Sequence, residues 1–300
     1  MKIIVTGSLG RISKPLTELL VSKGHEVTVI SSNPEKVTDI TSLGANASIG
    51  RLQDQEFLTS AFQDADAVYA MVPPANYFDP NLDLMNYVTG IAKNYKMAIA
   101  KSAVKRVVYL SSIGADLKKN SGIILPYHFA EEIIGGLSAA VSLTVIRPTT
   151  MYYNLLSFIR TIKNTGKISS NYGGDDLISW VSPLDIATAV AEELAKVNPF
   201  GRDLRYVASD ELTCSETATI LGSAIGKPDL QWEFTPSDEI QQNLEAAGMQ
   251  PKIASDYLSM NDSMHNGTFF AHYRKNRPKH LGRIKMSNFA IDFSKSYEQS

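Results

Sequence analysis

The sequence has few cysteine and histidine residues: its 300 residues include one cysteine, Cys214, and five histidines. A single thiol cannot form an intramolecular disulfide, and no histidines have the helical spacing or the cysteine partners of a metal site. No metal ion is therefore expected. The missing disulfide framework favours a reducing compartment, so a cytoplasmic protein is predicted.

The chain also lacks long hydrophobic runs and a dominant charge. No apolar stretch approaches the ~20 residues that span a bilayer, and 29 basic against 31 acidic residues leave a net charge of −2. This balance predicts neither a membrane nor a nucleic-acid partner. The one basic cluster, Arg274–His280, is interpreted either as a solvated loop or as a patch for a protein partner, and a homodimer stays open.

The first half alternates short β-branched runs with longer amphipathic stretches, which predicts an α/β fold: a doubly wound parallel sheet of the Rossmann type. The predicted strands are 3–5, 27–30, 47–49, 67–72, 106–110 and 143–146. The predicted helices are 14–22, 34–42, 55–62, 82–101 and 127–137.

After Arg147-Pro148 this alternation stops, and 163–174 is expected to be a loop. Strands are predicted at 178–181 and 204–207, and helices at 183–196, 239–247, 251–264 and 287–297. We therefore expect a Rossmann domain in 1–152, to which the chain returns at about 183–210. A smaller, mostly helical substrate or lid domain would comprise 153–182 and 211–300.

The segment Thr6–Ser13 lies between the first predicted strand and helix, where a dinucleotide fold places its phosphate-binding turn. Gly7 permits a tight turn, Gly10 lets the backbone approach a pyrophosphate, and Ser13 is small enough to replace the usual third glycine. The helix amino terminus offers free N–H groups to an anion. The alternative is a tight turn without a ligand.

The end of the second predicted strand determines which adenosine ribose is preferred. An acidic residue there would bind the 2′-hydroxyl of NAD, whereas this chain has Ser31, Ser32 and Asn33, with Lys36 one turn on. Hydroxyls and an ammonium favour a 2′-phosphate, so NADP(H) is predicted over NAD(H). These residues also suit a helix cap, and the two roles are compatible.

Four further motifs join this turn: 66–74 (DAVYAMVPP), 107–115 (VVYLSSIGA), 145–148 (VIRP) and 185–187 (DIA). With them the chain resembles the NmrA-like branch of atypical short-chain dehydrogenases/reductases, above all its NAD(P)H-dependent quinone, azo-dye and triphenylmethane-dye reductases. The resemblance implies a set of cofactor-binding residues: Gly7, Leu9, Gly10, Arg11 and Ile12 at the pyrophosphate, Ser32 and Lys36 at the 2′-phosphate, Arg51 and Leu52 at the adenine, Pro73 and Pro74 at the ribose and nicotinamide, and Ser111 and Pro148 beyond the ring. Arg11 departs from the small or amide residue that is usual in the family at its position, and it either adds a phosphate contact or obstructs one.

The catalytic helix departs from the classical Tyr-x-x-x-Lys dyad, in which the lysine lowers the tyrosine pKa. Glu131 follows Tyr127 at that spacing, and a carboxylate would raise the pKa of Tyr127. Alcohol–ketone chemistry through Tyr127 is therefore disfavoured. His128 and Glu132 share one helix face, and the pair either serves a substrate proton or packs structurally.

Aromatic residues near predicted strand ends are either the wall of a flat substrate site or part of the core. The candidates are Tyr77, Met151, Tyr152 and Trp180, with Asn154 to orient a carbonyl. The function predicted from these features is an NADPH-dependent reductase of a flat electrophilic acceptor, such as a quinone or dye. The alternative is a redox sensor that binds the dinucleotide and signals to a protein partner without turnover.

Overall fold

A computed structural model describes residues 1–197 and 200–300. The strands are β1 (Lys2–Val5), β2 (Glu26–Ser31), β3 (Asn46–Ile49), β4 (Ala67–Met71), β5 (Arg106–Leu110), β6 (Ser142–Pro148), β7 (Thr150–Met151), β8 (Lys167–Ser170), β9 (Leu177–Val181), β10 (Arg202–Val207), β11 (Asp210–Thr213) and β12 (Gln231–Phe234).

The α-helices are α1 (Ser13–Ser22), α2 (Lys36–Ser42), α3 (Gln55–Phe62), α4 (Leu84–Ala100), α5 (Leu125–Gly135), α6 (Ile159–Thr165), α7 (Pro183–Ala195), α8 (Cys214–Ala224), α9 (Ser237–Ala246), α10 (Pro251–His265), α11 (Ala271–Lys275) and α12 (Met286–Gln299). Short 3-10 helices occupy Gly122–Ile124, Tyr152–Phe158 and Thr268–Phe270. No helix among the described residues has both the length and the apolar character needed to cross a membrane.

The central sheet has seven parallel strands in the order β10-β6-β5-β4-β1-β2-β3. Strands buried on both faces read as continuous apolar runs, as in β4 and β5. Side chains of α4 and α5 form a core on one face of the sheet, and side chains of α1 and α7 form a core on the other. The predicted doubly wound fold is therefore confirmed.

The smaller part of the chain is mostly helical and holds a third core, rich in aromatic side chains. It also contains two small sheets, β11-β9-β7 and β12-β8. The prediction of a loop at 163–174 was wrong in part, because α6 runs to Thr165 and β8 spans 167–170. β8 shows only one apolar residue, Ile168, so its alternation is too short to mark a strand in the sequence.

Helix α10 of the smaller part packs directly on the entry to α5. Gly122 has φ +52°, and a Cβ there would overlap the carbonyl oxygen of Asp256 in α10. Glycine is therefore required at this position for its backbone conformation and for the close approach of the two segments.

Replacing Gly122 by Ala should destabilise the protein strongly. Gly166→Ala is the matched control, because Gly166 has φ +75° but open space around it. The control should lower the free energy of unfolding by about 1–2 kcal/mol, from backbone strain alone. Gly122→Ala adds overpacking and should lower it by about 2–5 kcal/mol. Urea unfolding measures both, and equal losses would contradict the close packing of α10.

Candidate functional site

The candidate site lies along the carboxyl ends of the central strands. The order of strands reverses between β1 and β4, since β2 and β3 extend to one side and β5, β6 and β10 to the other. Such a switch point opens a crevice for ligands in doubly wound sheets. The predicted cofactor segments lie at or just after the carboxyl ends of β1 to β6, so the fold brings them to one edge.

The turn after β1 is built around Gly7. Gly7 has φ +88°, and a Cβ there would lie 2.7 Å from Ser13 Oγ and 2.8 Å from Met71 Sδ. The Ser13 hydroxyl donates to the carbonyl of Thr6 at 2.8 Å, which draws the start of α1 onto the end of β1. Serine thus gives the close helix–strand approach that was expected of a small residue.

The rest of the turn presents unused donors. A Cβ at Gly10 would lie 3.1 Å from the Gly7 carbonyl oxygen, so the loop is tight there too. Among the residues that the structure describes, the amides of Arg11 and Ile12 donate to no acceptor of the chain. Free amides at the start of α1 are what an anion such as a pyrophosphate would bind.

Ser31 holds the turn rather than offering a free hydroxyl. It is 3% exposed, its Oγ accepts from Ser8 Oγ at 2.9 Å and from the Asn33 amide at 3.1 Å, and it donates to the Asn33 carbonyl at 3.3 Å. A 2′-phosphate would have to replace one of these bonds, and binding through Ser31 stays a prediction. Ser32 is exposed beside it.

Lys36 has two acidic neighbours in sequence, Glu35 and Asp39, that were not part of the predicted 2′-phosphate site. Its Nζ donates to Asp39 Oδ2 at 2.8 Å, and Asp39, through that hydrogen bond and its charge, raises the pKa of Lys36. Glu35 Oε2 lies 3.5 Å from the side-chain amide of Asn33. A 2′-phosphate would have to exchange with Asp39, and such exposed ion pairs are weak.

The end of β4 is held by three side chains. The Met71 amide donates to Thr6 Oγ1 at 2.9 Å, and the Tyr95 hydroxyl donates to the Met71 carbonyl at 2.7 Å. The Tyr87 hydroxyl donates to the Pro73 carbonyl at 3.2 Å. These bonds fix the backbone that carries Pro73, which is partly buried, and Pro74, which is exposed.

Of the two residues predicted at the adenine, Arg51 is exposed and Leu52 is buried at 7% exposure. The Leu52 side chain belongs to the core, and its carbonyl accepts from Asn94 Nδ2 at 3.1 Å. Arg51 therefore offers more surface to a ligand than Leu52.

Glu131 is bound to Arg147 of β6. Arg147 Nε donates to Glu131 Oε1 at 2.8 Å and Nη2 to Oε2 at 2.6 Å, and the side chains are 8% and 13% exposed. Ser111, at the end of β5, donates to Glu131 Oε1 at 2.5 Å. Glu131, four residues after Tyr127, thus belongs to a two-pronged ion pair that also orients Ser111.

The network extends from Arg147 into the smaller part of the chain. Arg147 Nη1 donates to the Tyr206 hydroxyl at 3.1 Å and lies 3.6 Å from Asp116 Oδ1. The Tyr206 hydroxyl is 2.9 Å from His272 Nδ1 in α11. Burial would lower the pKa of Arg147, but its bonds and charge contacts with Glu131, then with Tyr206, raise it. Arg147 is therefore a permanent cation.

Tyr127 is half-buried and its pKa is raised. The largest cause is burial, followed by Tyr77 and Tyr87. The predicted direction agrees, but the predicted cause was wrong: Glu131 faces Arg147 and is not among the groups that raise the pKa of Tyr127. Tyr127 is a weak acid in this surrounding.

Both ring nitrogens of His128 face acceptors of its own chain. Nδ1 lies 2.8 Å from the Ala115 carbonyl, so it carries a hydrogen, and Nε2 lies 3.3 Å from Glu132 Oε1. His128 and Glu132 share one helix face, as predicted. The His128 side chain is 12% exposed, and its contacts favour the packing alternative over a proton-donating role.

Two predicted substrate residues lie in the core. Trp180 is fully buried, and Tyr152 is 1% exposed with its hydroxyl donating to Asp210 Oδ2 at 2.7 Å. Neither can wall a substrate site in this packing. Tyr77 and Met151 are partly buried and Asn154 is exposed, so these three have surface available.

The basic cluster Arg274–His280 is engaged in part within the chain. Arg277 Nε lies 2.7 Å from Glu211 Oε1, and the Arg274 guanidinium lies 5.9 Å from the centre of the Phe270 ring. Lys275, Lys279 and His280 are exposed. A protein partner at this cluster stays a prediction.

Two arginine contacts do not follow from the predicted site residues. Arg147 lies in the VIRP motif, and a charge inside an apolar strand requires a buried partner. Arg11 stacks on Tyr153, with its guanidinium carbon 3.7 Å from the ring centre. The two residues are far apart in sequence, so only the fold brings them together.

Comparison with known proteins adds a family to this geometry. The model of the NmrA-like family matches residues 1–296. An NAD(P)H azoreductase of Xenophilus azovorans is 22% identical over 253 residues, which cover 84% of this chain and 83% of that protein.

Solved structures agree on the fold. The triphenylmethane reductase of a Citrobacter species matches with a TM-score of 0.77 and 19% identity, over 97% of this chain and all of that one. An NADPH-dependent quinone oxidoreductase of Escherichia coli, complexed with NADPH, matches with a TM-score of 0.74 and 18% identity, over 99% of each chain.

The Glu131–Arg147 pair should be required for stability. Glu131→Gln removes the charge that balances a buried guanidinium and should cost about 3–5 kcal/mol in urea unfolding. Glu233→Gln is the control, because its pair with Lys167, at 2.7 Å, is half-exposed and should contribute less than about 1 kcal/mol.

Two further variants sharpen this test. Glu131→Lys restores the spacing of the classical dyad but places a second cation beside Arg147, so it should destabilise more than Glu131→Gln. The double variant Glu131→Gln/Arg147→Met should lose less than the sum of the single losses. A stable Glu131→Lys protein would contradict the pairing.

Proposed function

The chain belongs to the NmrA-like family, and on this premise we propose that it is an NAD(P)H-dependent reductase that passes hydride to a flat electrophilic acceptor, such as a quinone or a dye. The free amides of the glycine turn support binding of a dinucleotide pyrophosphate. The names of the relatives, an azoreductase, a dye reductase and a quinone oxidoreductase, support the class of acceptor.

The observation that carries the proposal is the pairing of Glu131 with Arg147 where the classical enzymes have a catalytic lysine. Without that lysine, Tyr127 keeps a raised pKa and is a poor proton donor at neutral pH. A quinone or a cationic dye accepts hydride readily and takes its proton, where one is needed, from water. The acceptor class therefore fits a site that lacks a strong acid.

Some residues of the site would hold the dinucleotide, and others would orient it. When bound, the nicotinamide supplies the hydride. Gly7, Gly10 and the amides that follow would hold the pyrophosphate, and the fixed backbone at Pro73 would support the nicotinamide ribose. Since the hydrogen of Ser111 Oγ is directed to Glu131, that oxygen presents its lone pairs and can only accept from a cofactor donor.

Oxidation of NADPH by the purified protein tests the proposal. We expect steady loss of absorbance when menadione or an azo dye is added, and no loss for Gly10→Val, whose branched side chain would fill the space of the pyrophosphate. Binding of NADPH without oxidation by any such acceptor would instead support the redox sensor that signals to a protein partner.

We also propose that NADPH binds more tightly than NADH, through Lys36 and Ser32. Lys36→Ala should weaken NADPH binding about tenfold in calorimetry, because a charge-assisted hydrogen bond is lost, and leave NADH binding nearly unchanged. Asp39→Asn should have the opposite sign for NADPH, since it frees the ammonium from its present partner. Equal effects on both cofactors would place Lys36 away from the 2′ position.

Tyr127→Phe should keep most of the rate of NADPH oxidation, because the hydroxyl is not the proton donor. His128→Asn should lower the melting temperature and spare the rate per folded molecule, since it removes the bonds to Ala115 and Glu132. Single-turnover oxidation of bound NADPH measures both. Collapse of the rate in Tyr127→Phe, with His128→Asn unaffected, would return the protein to tyrosine-based chemistry.

A further inference from the structure

Arg11 is an exposed cation in the glycine turn, and its guanidinium carbon lies over the Tyr153 ring, 3.7 Å from the ring centre. Within residues 1–197 and 200–300, its side chain forms no hydrogen bond and no ion pair with the chain. A cation–π contact does not require hydrogen bonds from the guanidinium, so its N–H groups stay unused. Arg11 is thus held in place while its donors stay available.

Tyr153 is itself anchored. Its ring meets Phe289 of α12 edge to face at 5.4 Å, and Phe289 stacks on Tyr152 at 5.5 Å. Phe289 is 4% exposed, so the anchor belongs to the core of the smaller part. The position of Arg11 is therefore set from outside the glycine turn, by the segment that follows β7 and by α12.

The backbone amides of Arg11 itself and of Ile12 are free donors in the same turn. A fixed guanidinium beside free backbone donors is complementary to a doubly charged pyrophosphate, which Arg can bind through two parallel hydrogen bonds. Lysine would not serve equally, because its ammonium has no planar fork and stacks poorly.

From this geometry we propose that Arg11 clamps the dinucleotide pyrophosphate and that Tyr153 positions the clamp. The inference rests on the proposed binding of NAD(P)H and deepens it. The smaller part of the chain, which supplies Tyr153 and its anchor Phe289, would then contribute to cofactor affinity.

Competition binding with three ligands tests the clamp: NADPH, ADP-ribose, which keeps the pyrophosphate, and adenosine 2′-phosphate, which lacks it. Arg11→Gln should weaken NADPH and ADP-ribose about tenfold and leave adenosine 2′-phosphate unchanged. Arg11→Lys should fall between Arg11→Gln and the unaltered protein. Arg160→Gln, which removes an exposed arginine from α6, controls for the change in net charge.

Tyr153 variants separate positioning from packing. Tyr153→Phe keeps the ring and should bind all three ligands like the unaltered protein, whereas Tyr153→Leu should weaken the two pyrophosphate ligands as Arg11→Lys does. Unchanged or tighter NADPH binding in Arg11→Gln would overturn the clamp. If the unaltered protein binds neither NADPH nor ADP-ribose, the proposed function itself fails, and that result is distinct from an effect of Arg11 alone.

Discussion

The buried guanidinium of Arg147 imposes the main constraint on this site. A permanent cation inside a sheet has to be paired and hydrogen-bonded, because leaving it unpaired would cost several kcal/mol. Glu131 meets this requirement, with Tyr206 and Asp116 on the remaining edge. The helix α5, the strands β5, β6 and β10, and α11 are joined through this one side chain.

That constraint also determines which chemistry the edge of the sheet can perform. Glu131 is bound to Arg147 and to the Ser111 hydroxyl, and it is not among the groups that shift the pKa of Tyr127. The other parts of the site can hold and orient a dinucleotide. The glycine turn is hydrogen-bonded to β2, hydroxyl groups fix the end of β4, and the Ser111 hydroxyl can only accept a hydrogen bond from a ligand. Such a site suits an acceptor that needs a well-placed hydride more than a proton.

The sequence predicts the parts of the structure that depend on local pattern. The strands and helices of the first half, the glycine turn and the shared face of His128 and Glu132 follow from spacing alone. The roles of Ser31, Tyr152 and Trp180 could not be predicted, because burial and hydrogen-bond partners are set by distant segments. The same holds for Glu131: its spacing from Tyr127 is visible in the sequence, but its partner Arg147 is brought to it only by the pairing of β5 with β6.

In the proposed reaction, hydride leaves a dinucleotide bound at this edge without help from a strong protein acid. The most direct measurement is single-turnover oxidation of protein-bound NADPH by menadione, with hydrogen or deuterium at the transferred position of the nicotinamide, across a range of pH. We expect a slower reaction with deuterium and a rate that changes little near neutral pH. Bound NADPH that is never oxidised, or a rate that follows the protonation of one protein group, would contradict this expectation.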